Sequence, residues 1–254
     1  MAKDFLWGEE FKLDVARGKA RGAEVRNIFG QNDAQTTTFR AVWELSNTTD
    51  YVFPSTAQIM RVASDDATDV GVQILIKGLD ADYLEISEVV TLTDTTTVPG
   101  SVLKDTTQQF FRINDVVTVG TQNLLTTSTL TVQDTAQTTV FAQVDNGHGR
   151  NQASIYTVPA NCEFYLYRLD GFSADDSVPP QEKAAKFRNV VILNPSGIIL
   201  RVATTEFFNQ MNIQRRFPFK YSEKTDIQLQ MATFSGTHPV SIFAEGVVVK
   251  ELMS

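Results

Sequence analysis

Short runs of alternating apolar and polar residues recur along the whole chain, and most are rich in β-branched side chains. Because successive side chains of a strand point to opposite faces, a period of two predicts strands with one buried face. Gly, Pro, Asn and Asp separate the runs, which is typical of an antiparallel sandwich or jelly roll. The predicted strands are Phe39 to Leu45, Gln58 to Ala63, Val70 to Leu79, Tyr83 to Leu92, Phe110 to Val119, Ser128 to Val132, Thr139 to Val144, Ala153 to Val158, Glu163 to Leu169, Phe187 to Leu193, Ile198 to Ala203, Arg216 to Tyr221, Asp226 to Met231 and Val240 to Val249.

The pattern predicts an all-β fold that is either one continuous sandwich or two packed β subdomains. In the second case the subdomains cover residues 31–150 and 151–254, and an extended N-terminal arm covers residues 1–30. Residues 94–107 are predicted to form an exposed loop. The segment Gln181 to Lys186, which follows two prolines, is predicted to form a single helical turn.

Two strand pairs can be predicted more closely. Val72 to Ile76 leads through a Gly/Asp turn into Tyr83 to Val90, which predicts a β-hairpin. Ile155 to Val158 and Glu163 to Tyr167 flank Pro159, which ends the first strand because proline cannot donate to a ladder. A short turn then begins the partner strand, so this segment also predicts a strand pair.

Composition narrows the class of protein. A chain of 254 residues with 42% hydrophobic content predicts a folded core, and a net charge of −8 disfavours a basic nucleic-acid groove. No run approaches the length of a membrane helix, and the first residues lack the apolar segment of a secretory signal. Cys162 is the single cysteine, which excludes an internal disulfide and fits assembly in a reducing cytoplasm. We expect it to be a small buried or half-buried residue.

Candidate catalytic and metal-binding residues are few. His148 lies in a Gly-rich turn and His238 precedes a proline, and neither has a partner at metal-ligand spacing, so both are predicted to lie in loops. The acidic group Asp80, Asp82 and Glu85 offers oxygen ligands for Ca²⁺, but Asp also suits hairpin turns, and we favour the turn. The same interpretation holds for two other acidic groups, Asp65, Asp66 and Asp69 and the pair Asp175 and Asp176. We therefore predict no enzyme activity, no metal and no cofactor.

The first 30 residues combine apolar anchors with cations before any clear strand. They predict either an N-terminal strand that closes the sandwich or an arm that docks on a partner, and the two are compatible. The candidate partner-binding residues are Phe5, Trp7, Phe11, Arg17, Lys19, Arg21 and Arg26. The segment Arg215 to Lys220 also alternates charged and aromatic residues. We predict that it is a strand whose Phe rings pack on one face while the Arg stems lie over the rim.

Several segments resemble a family of tailed-bacteriophage virion proteins. These segments are Leu13 to Gly18, Asn27 to Asn32, Val72 to Tyr83, Glu85 to Glu88 and Gln152 to Ala160. The resemblance spans most of the chain, and it departs at Asn161 and Cys162, where family members commonly have Gly and Lys. It implies a jelly-roll or β-sandwich protein of the virus particle, and it carries over no functional residue.

The resemblance and the lack of catalytic motifs together favour a capsid decoration or cement protein. Such a protein would form a homotrimer on the capsid exterior, bind the major capsid protein or another virion protein, and bind neither nucleic acid nor membrane. A tail component, such as an adaptor, baseplate or fibre-base protein, is the first alternative. A carbohydrate-binding module for host attachment is the second.

Overall fold

The computed structural model describes residues 9–94, 102–120, 128–174 and 183–250. Every strand pairing between named strands in these residues is antiparallel, so the all-β prediction is confirmed. The elements are α1 (Glu9–Ala16), β1 (Ala23–Gln35), β2 (Arg40–Ala41), β3 (Gln58–Ser64), a 3-10 helix (Ala67–Asp69), β4 (Gln73–Leu79), β5 (Glu85–Thr91), β6 (Thr93–Asp94), β7 (Val102–Phe110), β8 (Arg112–Val119), β9 (Leu130–Asp134), β10 (Val140–Val144), β11 (Ile155–Thr157), β12 (Cys162–Ser173), β13 (Ala184–Leu193), β14 (Ile198–Phe208), β15 (Gln210–Tyr221), β16 (Thr225–Thr233) and β17 (His238–Lys250).

Two sheets that enclose one hydrophobic core form sandwich A. One sheet has the order β1-β17-β12-β15, and the other has the order β11-β16-β13-β14 with β2 also paired to β16. Alternate residues of both sheets point inward, and Phe164 and Ile242 of one sheet share the core with Phe187 and Leu229 of the other. The edge strands are therefore β1 and β15 in the first sheet, and β11 and β14 in the second.

Two further sheets form sandwich B around a separate core. Their orders are β10-β9-β3-β7-β6 and β5-β4-β8. Val62 and Val132 of the larger sheet share this core with Ile74 and Val116 of the smaller one. Sandwich B uses residues 58–144, whereas sandwich A uses strands before and after it in the chain. The predicted division at residue 30 thus falls inside β1, whose partner β17 is near the other end of the sequence.

The two sandwiches are joined by a small apolar cluster and a buried ion pair. Trp43 and Tyr51 pack edge to face with ring centroids 5.3 Å apart, and they share their cluster with Ile155 of sandwich A. Arg112 of β8 donates from Nε to Asp226 Oδ1 of β16 at 2.8 Å. Both side chains are almost completely buried, so this contact fixes one sandwich against the other.

One of the two predicted strand pairs is confirmed. β4 and β5 pair from Gln73 opposite Thr91 to Leu79 opposite Glu85. The turn between them is organised by Asp80, whose Oδ1 accepts hydrogen bonds from the backbone N–H groups of Asp82 and Leu84, both at 2.9 Å. The interpretation of Asp80 as a turn residue is therefore confirmed.

The second predicted pair is wrong. β11 pairs with β16, whereas β12 pairs with β15 and β17, so the two strands belong to opposite sheets of sandwich A. The connection passes through Asn161, which has a left-handed φ of 58°, and carries the chain across the core. Pro159 and the following turn are compatible with either connection, and only the sheet partners decide between them.

Three other local predictions need correction. Residues 102–107 of the predicted loop belong to β7, in which buried Thr106 accepts a hydrogen bond from the Met60 backbone at 3.0 Å. The polar residues of β7 gave it the composition of a loop. Ala184 to Lys186 belongs to β13 and not to a helical turn, while Gln181 and Glu182 lie outside the described residues. Of Phe39 to Leu45, Arg40–Ala41 alone is strand, because Trp43 and Leu45 enter the joining cluster from a turn.

The predicted extended arm is folded onto sandwich A over its described part. Phe11 and Val15, four residues apart on α1, pack against Tyr167 and Val247 of the outer sheet face. The helix ends at Ala16, Gly18 follows it with a φ of 69° that suits a C-terminal cap, and β1 begins at Ala23. The expected N-terminal strand is thus present, and an apolar helix face holds the preceding segment in place.

Candidate functional site

A cavity of about 540 Å³ lies between sandwich A and sandwich B. We call it the central cavity. Its wall on sandwich A consists of residues 26–29 of β1 with Tyr156 and Phe243, and its wall on sandwich B includes residues 114–115 of β8. The connecting loop at residues 147–153 completes the wall. Pairing of β1 with β17 and of β8 with β4 therefore brings together four distant parts of the sequence.

The central cavity lies at the edge of β1 and contacts residues from both faces of this strand. Ile28, on the core face, is buried, while its neighbour Phe29, on the opposite face, is 39% exposed. Phe29 lies opposite Phe243 in the register of β1 and β17. Because directly opposite residues have Cβ atoms about 5 Å apart, the two rings form one apolar wall.

The loop after β10 is held against β8 by hydrogen bonds. Asn151 accepts from the Val116 backbone N–H through Oδ1 at 2.8 Å and donates its own N–H to the Val116 carbonyl at 3.0 Å. Arg150 donates to Asp115 at 2.7 Å. The His148 N–H donates to the Asp145 carbonyl at 3.0 Å, so His148 lies in a turn as predicted. The loop is thereby ordered along the cavity rim.

Three buried polar atoms of this wall have no hydrogen-bond partner: Arg26 Nε, His148 Nδ1 and Tyr156 Oη. Tyr156 is only 1% exposed, and the Arg26 guanidinium lies 5.3 Å from the centre of its ring. Burial raises the pKa of Tyr156 well above its ordinary value, so its hydroxyl stays protonated and can donate. A buried donor without an acceptor costs about 1–3 kcal/mol, which a ligand oxygen would recover.

Two shallower depressions continue the central cavity along β1. One, of about 220 Å³, shares His148 and Gln152 with it and is bordered by Glu44. The other, of about 230 Å³, shares Arg26 and Asn114. Glu44 accepts a hydrogen bond from the Gln152 backbone N–H through Oε1, while its buried Oε2 has no partner. Burial raises the pKa of Glu44 to about 8.

A second candidate surface is the side of sandwich A where β14 and β15 are both edge strands. We call it the open edge. Ile198, Ile199 and Leu200 follow one another on β14 and are all exposed, although successive side chains point to opposite faces. The tip of the β13–β14 hairpin therefore projects from the sandwich. Phe208, at the other end of β14, is also exposed.

The segment from Arg215 to Pro218 forms the other half of the open edge. Gln214 and Phe219 pair with β12, but the four residues between them leave the register. Phe219 packs against the core of sandwich A, which agrees with the prediction, whereas Phe217 is 78% exposed and corrects it. Because Pro218 lacks an N–H donor, the bulge is compatible with an edge position.

The predicted partner-binding residues lie in three different environments. Phe5 and Trp7 lie outside the described residues, and Phe11 is half-buried in the α1 contact with sandwich A. The exposed cations of the turn between α1 and β1 are Arg17, Lys19 and Arg21. Arg26 lines the central cavity, away from that turn. The structure therefore does not bring the five described residues together into one surface.

Other predicted features are settled by burial. Cys162 is 2% exposed, as expected for a small buried residue, and burial raises the pKa of its thiol to about 11. His238 begins β17 opposite Gln35, so its predicted loop placement is wrong. Among the described residues, no group of three or more His, Cys, Asp or Glu side chains is arranged to hold a metal ion. Asp175 and Asp176 lie outside them.

Sequence reasoning missed most of the central cavity. Asn27, Phe29 and Gln152 carry no catalytic or ligand motif, and Tyr156 reads as an ordinary strand residue. The available signal was the cluster of polar residues around His148, which resembles any Gly-rich turn.

Within the described residues, no helix is long and apolar enough to cross a membrane.

Comparisons with known proteins give little further information. No protein-family model matches the chain, and no curated protein matches it significantly. The structure of infectious bursal disease virus Gt strain aligns at 8% identity with a TM-score of 0.22, and that of the Gx strain at 10% with 0.25. Each alignment covers 90% of this chain and 73% of the other chain. At these TM-scores the likeness carries no argument, so the function must be inferred from the chain's own surfaces.

Proposed function

We propose that this chain is a non-catalytic structural protein of a tailed-phage virion, and specifically a capsid decoration protein that binds the coat lattice from outside. The observation that carries the proposal is the open edge. Soluble monomers rarely expose consecutive large apolar residues on an edge strand, because such strands associate with other chains. The resemblance of the sequence to phage virion proteins supports this role.

The charge around the open edge supports a protein partner. Residues 198–221 contain four Lys or Arg and one Asp or Glu, and Arg201, Arg215 and Arg216 are exposed. Residues 58–144, which form sandwich B, contain four Lys or Arg against eleven Asp or Glu. The open edge thus suits an acidic surface on a coat subunit. A homotrimer of this chain would multiply weak lattice contacts by symmetry.

The copy number of the protein in purified particles tests the proposed location. Quantitative mass spectrometry should find the protein in a fixed ratio to the coat protein, at hundreds of copies per particle. A reconstruction of the particle should place its density on the capsid exterior. A small copy number with density at the tail would instead assign it to an adaptor, baseplate or fibre base.

Substitution of Ile199 by aspartate should abolish docking without unfolding the chain. Ile199 is 65% exposed, so the charge is tolerated in the monomer but is desolvated in the complex. We expect at least a tenfold lower occupancy on particles that lack the native protein. Val89→Asp is the matched control, because Val89 is 52% exposed on the edge strand β5 of sandwich B. Equal occupancy of both variants would contradict docking through the open edge.

A further inference from the structure

We infer that the central cavity is a binding site for an acidic saccharide, a short run of sugar units of which the one in this cavity bears a carboxylate. This site is separate from the open edge, and lattice binding does not require it. Its volume of about 540 Å³ lies in the range of small-molecule sites, which is about 300–1,000 Å³. The adjoining depressions extend it along β1, but Asp33 and Asp145 line one and Glu24 and Glu85 line the other, so the sugar units that continue into them are expected to be neutral.

The edge of β1 is closed to an added peptide strand beside the cavity. The Gln31 N–H donates to the Gln152 carbonyl at 3.4 Å. A Cβ placed on Gly30 would lie 2.3 Å from the Val42 carbonyl oxygen, so the backbones already touch there. A partner strand would have to displace these contacts, whereas a ligand that binds to side chains would not. The groove is therefore better suited to a saccharide than to β-strand addition.

The polar side chains around the cavity match sugar hydroxyls. Asn27, Asn151 and Gln152 line it, and each carboxamide has both donor and acceptor atoms. Adjacent hydroxyls of a sugar ring likewise both donate and accept. The wall formed by Phe29 and Phe243 provides an apolar surface for the C–H face of the ring. A few convergent polar groups beside aromatic rings are typical of a small-molecule site.

The charge of the cavity favours a carboxylate on the ligand. The Arg150 guanidinium is neutralised by Asp115 at 2.7 Å. Arg26 is approached by Glu24 at 3.6 Å, but Glu24 is itself largely exposed, and Arg26 Nε keeps no acceptor. Arg26 Nε and the Tyr156 hydroxyl are thus two unpaired donors on one wall. A carboxylate accepts strong hydrogen bonds from such donors.

An array of uronic-acid and sialic-acid oligosaccharides, printed beside carboxyl-reduced counterparts, tests the inference on the full chain. We expect retention of at least one acidic glycan and at least tenfold weaker retention of its reduced counterpart. Tyr156→Phe keeps the ring that packs on Phe164 and removes only the unpaired hydroxyl, so affinity should fall at least fivefold with little change in thermal stability. Arg26→Met should lower affinity at least tenfold.

The control is Arg216→Met, which removes an exposed cation from the open edge and should leave glycan affinity unchanged. A tetraglutamate peptide, measured by calorimetry, should bind at least tenfold more weakly than the best glycan. The inference is overturned if no acidic glycan exceeds its reduced counterpart, if Tyr156→Phe and Arg26→Met bind like the native chain, or if the peptide binds equally well. Particle occupancy of the same variants should not change, so failure here is distinguishable from failure of the proposed capsid role.

Discussion

Replacement of Asp226 by alanine is expected to lower the free energy of unfolding by about 3–5 kcal/mol, because it leaves a buried arginine without its partner. Asp226 accepts from Arg112 Nε and Nη2 at 2.8 and 2.9 Å. It also accepts from Thr157 Oγ1 at 2.6 Å and from Asn194 Nδ2 at 2.9 Å. A single carboxylate thus satisfies donors from both sandwiches, and alanine would leave Arg112 Nε, Arg112 Nη2 and Thr157 Oγ1 unpaired, whereas Asn194 Nδ2 would keep the Lys224 carbonyl.

The loss is measurable by urea unfolding of the native chain and the variant at neutral pH. Asp50→Ala is the matched control, since Asp50 pairs with Arg40 at 2.7 Å but is 74% exposed. Exposed pairs contribute about 0–1 kcal/mol, so the control should change stability little. If the two variants lose the same free energy, the buried pair does not hold the sandwiches together.

Stability is expected to fall by about 2–3 kcal/mol between about pH 5.5 and pH 7.5 because of Glu44. Burial raises the pKa of Glu44 from 4.5 to about 8. In this pH range the folded chain keeps the proton that the unfolded chain has released. The folded state therefore binds more protons, and its stability decreases as the pH rises toward the raised pKa.

Glu44→Gln isolates this contribution, because glutamine has the shape of the protonated acid and does not ionise. The variant should retain the contact with the Gln152 backbone and lose most of the pH dependence. Urea midpoints of both proteins at the two pH values provide the measurement, and the difference between their slopes isolates the pH dependence that Glu44 carries. Parallel slopes would show that Glu44 does not carry the effect.

The sequence pattern located most strands because burial of one face imposes a period of two wherever the other face meets solvent. It failed where that condition does not hold. β7 places polar Thr106 between Val102 and Phe110 on its buried face, so that face is only partly apolar. In the opposite case, Trp43 and Leu45 are apolar because they enter a joining cluster, although they lie in a turn.

The candidate site was predictable only in fragments. The turn around His148 and the small buried Cys162 follow from local residue chemistry, and both were correct. The central cavity depends on the register of β1 with β17, which places Phe29 beside Phe243 from more than 200 residues away in the sequence. Likewise, the Arg26 side chain lies beside the Tyr156 ring and not beside the cations that precede it in the sequence.

By itself, the sequence determined the all-β class, the hairpin of β4 and β5, and the acidic character of the middle of the chain, since each depends on neighbouring residues or on composition. Tertiary structure decided which strands share a sheet, and thereby that residues 23–41 join the strands after residue 155. It also decided which polar atoms are buried without partners. Both outcomes depend on long-range backbone pairing. Any strand of suitable pattern can compete for such a pairing, and only the packing of the cores selects one set of strand partners.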